Sequence, residues 1–252
     1  MNGAFHKFPH TPHLVWLGEG KPRDDKVLSI EEARAFLDGE VVVEEKVDGA
    51  NLGLSVGSDG RIHAQSRGNY IAPGRSHQQW NLLWSWLASR EHVLVEALSS
   101  EHILFGEWCY ARHSVNYSAL PDWFLAFDIF EPASNLFWSS KRRNKFVADL
   151  GITPMPEIFR GHLTMREVPQ LIAESRLGAP RMEGVYLRRE NGGKLVGRAK
   201  VVGGDFKERI EQHWTKRPLV QNRLAVQMGA LARSSLLCVP QSISGDFSRN
   251  CR

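Results

Sequence analysis

Apolar and polar positions change period several times along this chain, and the changes mark out its elements. Ser29 and Glu32 stand three apart at the head of SIEEARAFLDG, a capping box that predicts a short helix stopping near Gly39. A β-branched run follows, VVVEEKVDGANLGLSV over 41–56, broken by a glycine-bearing bend, which predicts strand, tight turn and strand. Ser58-Asp59-Gly60 signals a hairpin returning through RIHAQSRG. Trp80, Trp84 and Leu87 fall at helical spacing, so 76–90 predicts a helix, its tryptophans read as core rather than as a base-stacking platform. HILFGEWCY (102–110) and WFLAFDIFE (123–131) are dense apolar strands, and SSKRRNKFVADLG (139–151) is a basic helix with a glycine stop. Thr164 and Glu167 cap a further helix to about Arg176. GVYLRR and KLVGRAKVV predict a hairpin turning at Asn191-Gly192-Gly193, and DFKERIEQHW (205–214) returns to helical period. Hairpins alternating with helices favour an α+β architecture over a doubly wound parallel sheet.

Composition narrows the class. The 252 residues are 42% hydrophobic and 24% charged, which excludes a mostly disordered chain and suits one large domain with a small appendage. The net charge of +4 is unevenly placed: residues 1–204 carry 24 basic and 24 acidic groups, residues 205–252 eight and four. A basic appendage on a neutral body hints at a polyanionic partner, and equally at a solvated face. Three cysteines without CxxC spacing give no disulfide framework, as in a reducing compartment. The first residues lack an apolar signal core, and no run is long enough to span a membrane, so the expectation is a cytoplasmic protein with no membrane partner; a monomer is expected separately.

Charge set into apolar strands carries the chemistry. Lys46, Asp48 and Gly49 sit at the bend between two strands, with Glu44 and Glu45 just before them. A lysine held there could act as a nucleophile, although D-G is also ordinary turn chemistry. Downstream, Glu107 interrupts ILFGEWCY, Asp128 interrupts FLAFDIF, Glu183-Gly184 precedes VYLRR and Lys200 ends GRAK. Each could be a solvent-facing position; together they describe a polar cleft able to hold a divalent cation and a phosphate.

In this order EKVDGAN, FGEW, FLAFDIF, MEGVYLR and GRAK resemble motifs I, III, IIIa, IV and V of the covalent nucleotidyltransferases, the superfamily of polynucleotide ligases and mRNA capping enzymes. The similarity covers residues from about 5 to 225 and is nearest to the RNA ligase 2 family. It implies an antiparallel-sheet nucleotidyltransferase fold over 1–204 and a short basic helical extension over 205–232 in place of an OB-fold; the last residues, 233–252, show no period and are expected to be a flexible tail. It also implies an ATP-dependent RNA ligase using Mg²⁺ or Mn²⁺, acting on RNA, an RNA/DNA hybrid or a nicked duplex. By the same resemblance Lys46 would take AMP as a phosphoramidate, Glu45 would read the adenine edge, and Asn51 completes the motif. Arg67 would place phosphate, Glu107 would meet the ribose, and Phe127 would stack on adenine with Asp128 beside it. Glu183 would serve the metal, and Arg198 and Lys200 would hold phosphate. Lys207, Arg209, Lys216, Arg217 and Arg223 would meet the polynucleotide backbone, with Trp214 among them.

Two departures bear on the substrate. Asp48 stands where RNA ligase 2 enzymes usually have histidine, giving the KxDG of DNA ligases and capping enzymes, and Arg198 replaces the first lysine of motif V. Only 52 residues follow Lys200, too few for an OB barrel. A compact DNA ligase and a non-catalytic nucleic-acid-binding relative are the alternatives. Zinc is a weaker rival, resting on the spacing of Cys109 with His113 and His10 with His13. Lys141, Arg142, Arg143 and Lys145 read as a solvated helix face or a phosphate contact.

Overall fold

The computed structural model describes residues 5–19, 26–204 and 218–225. After helix α1 (Ile30–Leu37), the strands are β1 (Val41–Lys46), β2 (Ala50–Val56), β3 (Ile62–Gln65), β4 (Ile103–Trp108), β5 (Phe124–Glu131), β6 (Leu136–Phe137), β7 (Thr153–Pro154), β8 (Glu157–Gly161), β9 (Gly184–Asn191) and β10 (Lys194–Val202). Helices α2 (Leu83–Ala88) and α3 (Glu91–Leu98) precede β4, and α4 (Ser140–Asp149) follows β6. The strands form two sheets, ordered β10-β9-β1-β8 and β3-β2-β4-β5-β6, antiparallel throughout except where β7 joins β5 in parallel. The fold is thus α+β, and the described residues close no barrel and contain no OB-fold.

Local signals explain several elements. Both halves of the Ser29–Glu32 capping box form at α1: Ser29 Oγ accepts the Glu32 amide at 3.1 Å, and the Glu32 carboxylate accepts the Ser29 amide at 2.8 Å. Gly192 and Gly193 take φ of 56° and 78°, which the two-residue turn joining β9 to β10 needs. The hairpin of β2 and β3 forms as expected.

Other expectations change. The segments on either side of Lys46 are not partners: β1 pairs with β8 and β9, while β2 pairs with β3 and β4. Val47-Asp48-Gly49 therefore carries the chain from one sheet to the other. The helix expected over 76–90 is a 3₁₀ turn at Gln78–Trp80 followed by α2, with α3 starting at Glu91. Trp80 and Trp86 are buried with Trp108, so these rings are core. The helix expected from Thr164 to Arg176 shrinks to a 3₁₀ turn at Val168–Leu171, although Thr164 and Glu167 do bond at 2.7 Å. Pro169 withholds an amide, and Ser175 turns inward to meet Glu45, which also accepts the Arg176 backbone amide.

The lead-in to α1 ties both sheets. Leu14 donates its amide to the Lys200 carbonyl at 2.8 Å and Lys200 returns one to Pro12 at 2.9 Å, while the Gln65 amide group reaches the His6 carbonyl at 2.7 Å.

A buried ion network fastens the sheets from within. Arg188 on β9 lies 2.8 Å from Asp128 on β5, and Arg143 on α4 pairs with Glu44 on β1; all four are almost wholly enclosed. Arg188 also lies 3.7 Å from Glu44. Burial opposes charge on Arg188, but Asp128 and Glu44 outweigh it and hold the guanidinium firmly protonated. Of the basic run on α4, Arg143 is therefore an internal ion-pair partner and not part of a solvated face.

Candidate nucleotide-binding site

A cavity of about 350 Å³ opens where the two sheets meet, and the chain crosses at its edge through Lys46-Val47-Asp48-Gly49. Glu45, Lys46, Asn51, Arg67, Glu107, Phe127 and Lys200, residues from five separate stretches of sequence, all line it. The lysine is fixed from both sides. Its Nζ lies 2.5 Å from Glu183 Oε2, and the register of β1 on β9 sets Lys46 opposite Gly184. Burial favours loss of the ammonium proton, but the charges of Glu183, then Glu107 and Asp48, prevail and raise its pKa above the ordinary lysine value. Burial pushes Glu183 up to about 7 and Glu107 up to about 8, against the pull of the lysine charge.

Gly49 lets β2 start beside these groups. A Cβ there would lie 2.7 Å from the Trp108 carbonyl oxygen and 3.0 Å from Glu107 Cγ, and its amide donates to Glu107 at 3.0 Å. Asn51, opposite Glu107 in the register, points a buried Oδ1 that meets no donor among the described residues. An acceptor left so beside a cavity suits a ligand donor. Glu45 is fully enclosed; Ser175 donates to its carboxylate and so does the Arg176 amide, at 3.2 Å. Burial raises its pKa, with those two hydrogen bonds pulling the other way.

Asp48 faces elsewhere. Its Oδ2 accepts the amides of Ser114 and Val115 at 2.6 and 2.9 Å, and its own amide donates to the Tyr117 hydroxyl at 2.8 Å.

The other expected residues divide. Glu183 meets the site through Lys46. Asp128 does not line the cavity: its carboxylate is committed to Arg188 and, at 3.5 Å, to Arg198. Arg198 is not on the lining either, because its guanidinium lies over the rings of Phe137 and Phe8, 4.1 and 5.0 Å from their centroids. Arg223 is exposed on an extended segment rather than a helix, and Lys207, Arg209, Trp214, Lys216 and Arg217 lie outside the described residues. Cys109 is fully buried, its thiol pushed well up by burial, as a packed thiol should be. Among the described residues no three or more His, Cys, Asp or Glu side chains gather as a metal cage.

Sequence reading missed Phe8, Thr11, Met155 and Tyr186, which also line the cavity. Phe8 and Thr11 arrive by the lead-in's pairing with Lys200, and Tyr186 sits one pleat beyond the Lys46 partner on β9. Only the apolar alternation of GVYLRR could have signalled Tyr186; nothing local marks Phe8 or Thr11.

The RNA ligase family model matches residues 39–202, about two thirds of the chain. The chain belongs to the RNA ligase family. That span begins just before β1 and ends with β10, so it takes in both sheets but neither the lead-in nor the segment at 218–225. Solved structures of a Naegleria gruberi RNA ligase share the family fold. One variant with ATP and Mn superposes with a TM-score of 0.53 at 15% identity, over 71% of this chain and 54% of that one. An apo variant gives 0.55 at 16%, over 80% and 63%. Another with ATP and Mn gives 0.54 at 14%, over 81% and 63%. The chain thus spans 54–63% of the length of these structures. No curated protein matches. No described helix is long and apolar enough to cross a membrane.

Proposed function

We propose that this chain is an ATP-dependent RNA ligase working through a lysyl-AMP intermediate on Lys46. The observation that carries it is the convergence on one cavity of Lys46 with its partner Glu183 behind it, the acids Glu45 and Glu107, and a second lysine, Lys200, around a slot walled by Phe127. Family membership and the ATP and Mn of the Naegleria relatives agree with that chemistry.

In this reading adenine packs against Phe127, and the Asn51 Oδ1 accepts a donor from the nucleotide. Glu107, close to neutral at pH 7, can donate a hydrogen bond to it as well as accept one from Gly49. Arg67 and Lys200 bind the phosphates, and Lys46 is aimed at the α-phosphorus by its contact with Glu183. The ammonium first loses a proton to solvent, which its partial exposure admits; the amine then forms an N–P bond as the α–β phosphoanhydride breaks and pyrophosphate leaves, the second proton also passing to solvent. A 5′-phosphate then displaces the lysine to give a 5′–5′ pyrophosphate, and a 3′-hydroxyl attacks it to form the phosphodiester with release of AMP.

The donors suit a hard divalent cation: Glu183 would hold it together with the nucleotide phosphates, a mode Mg²⁺ adopts without a protein cage. Bound there, Mg²⁺ or Mn²⁺ would neutralise charge building on the leaving phosphates. Asp48 gives no ground for preferring DNA, because its carboxylate is spent on Ser114 and Val115. Arg223 and the basic residues from Lys207 to Arg217 are assigned to the polynucleotide backbone.

The test is label transfer from ATP labelled at the α-phosphate, with Mg²⁺ or Mn²⁺, beside Lys46→Ala. Label on the wild type that disappears in the variant supports the reading. No label with either metal from folded protein overturns it in favour of a binding module. Nicked RNA and nicked DNA duplexes offered to the labelled protein then decide the polynucleotide.

A further inference from the structure

The family match stops at residue 202, yet residues 218–225 return to the body and lie along the loop that follows β4. The contact is extensive. Arg112 donates its amide to the Val220 carbonyl at 2.8 Å, Asn222 to Tyr110 at 3.0 Å, Arg223 to Tyr117 at 2.9 Å, and Leu120 to Arg223 at 3.0 Å. Asn222 is 3% exposed and its side chain is fully used. Its Oδ1 accepts the Tyr117 amide at 3.0 Å, and its Nδ2 donates to the carbonyls of Cys109 at 2.8 Å and Ala111 at 3.4 Å. A buried carboxamide spanning both ends of a loop in this way fixes the loop's shape, and losing it leaves buried backbone groups unpaired.

That loop is what holds the turn after Lys46. The Tyr117 side chain is wholly enclosed and its hydroxyl accepts the Asp48 amide, while Ser114 and Val115 clamp the Asp48 carboxylate. Hydrogen bonds therefore run from Asn222 to the Tyr117 backbone amide and from the Tyr117 hydroxyl to Asp48, two residues from the lysine, while the 114–115 amides of the same loop hold the Asp48 carboxylate. Every link is buried or half-buried, so water does not readily replace it.

We infer that Asn222, with Tyr117 as its relay, is a positioning residue for Lys46, so that the strap at 218–225 completes the nucleotidyl-transfer site from outside the family-matched segment. The catalytic consequence rests on the function proposed above; the mechanical one does not. The strap also carries the exposed Arg223, so a polynucleotide phosphate bound there would act on the same segment that sets the nucleophile turn.

The experiment uses the full chain with Asn222→Ala, Tyr117→Phe and the double variant. Hydrogen exchange is the first readout: faster exchange at the amides of Asp48, Ser114 and Val115 in Asn222→Ala, with the β4 and β5 amides unchanged, is expected. Label transfer is the second. At saturating ATP each single variant should lose about tenfold or more in rate with little change in KM, since a misplacement of ~1 Å can cost on the order of 10²-fold. The double variant should be no worse than the poorer single one, as for two links of one chain. Exchange confined to 109–120 with Asp48 unaffected, or additive rate losses, overturns the inference. If the wild type takes no label, the proposed function fails, and exchange at Asp48 still decides the strap.

Discussion

Lys46 Nζ and Glu183 Oε2 lie 2.5 Å apart although 137 residues separate them in sequence, because β1 and β9 are neighbours in one sheet. The lysine side chain retains 25% exposure, so it can turn to water if the acid is removed. Glu183→Ala should therefore leave the melting temperature nearly unchanged while cutting label transfer by about 10²-fold, the usual effect of deleting one aimed electrostatic group. Parallel melting and labelling curves check both halves.

Asn51 offers the converse separation. Its Oδ1 is buried without a donor among the described residues, a state that costs the folded protein rather than helping it. Asn51→Ala should not lower stability, yet it should raise the KM for ATP; titrating ATP in the labelling reaction measures this. An unchanged KM would remove Asn51 from the nucleotide contacts.

Gly49→Ala tests the close approach at the sheet crossing. The new methyl would meet the Trp108 carbonyl oxygen at 2.7 Å and crowd Glu107, so the backbone must shift. A loss of about 1–3 kcal/mol is expected from overpacking of this kind. Urea titration would show it, and labelling should fall further than stability alone explains.

The pH dependence at Glu107 has a definite sign. Unfolded, its carboxyl titrates near 4.5; folded, burial moves it up to about 8. The folded state holds that proton more tightly, so its contribution to stability is complete below pH 4.5 and is lost as the pH rises towards 8. Glu107→Gln keeps the neutral shape and an acceptor for Gly49. The advantage of the variant over the wild type in melting temperature should widen from pH 5 to pH 8, and a flat difference would mean that Glu107 is already ionised at neutral pH.

Arg188→Met should be severe. It leaves the fully buried carboxylate of Asp128 with only Arg198, at 3.5 Å, among the described residues, while Glu44 keeps Arg143, and breaking a buried pair from one side costs about 3–5 kcal/mol. Thermal melting of the variant should show a drop on the order of 10 °C for a chain of this size.

Much of the site was legible because its chemistry is local. Lys46 with Asp48 and Gly49, and the acids breaking apolar strands, could be read as one cleft, and Glu107, Phe127 and Lys200 do meet there. What escaped was set by tertiary pairing. No local pattern says that β1 and β2 belong to different sheets, since both are apolar strands joined by a short bend. Phe8 and Thr11 depend on the lead-in finding Lys200, and Asn222 on a strap returning to Tyr117. The resemblance implied ligand contacts for Asp128 and Arg198; in the structure Asp128 pairs with Arg188 and Arg198 lies over two phenyl rings, partners no local pattern names. Pro169 and the inward turn of Ser175 overrode a valid cap at Thr164.

The interleaving of the two sheets has a consequence for biosynthesis. One sheet takes its strands from 41–46, 157–161 and 184–202, while all of the other lies between. At about 5–20 residues per second, β1 leaves the ribosome on the order of ten seconds before β9 can pair with it. Until β8 is made, VVVEEK has no partner on either edge, and the edge that β9 will take stays open longer still; such edges invite association between nascent chains. Glu44 and Glu45 at its end supply charge that discourages it, so two acids buried in the finished protein guard the strand while it waits.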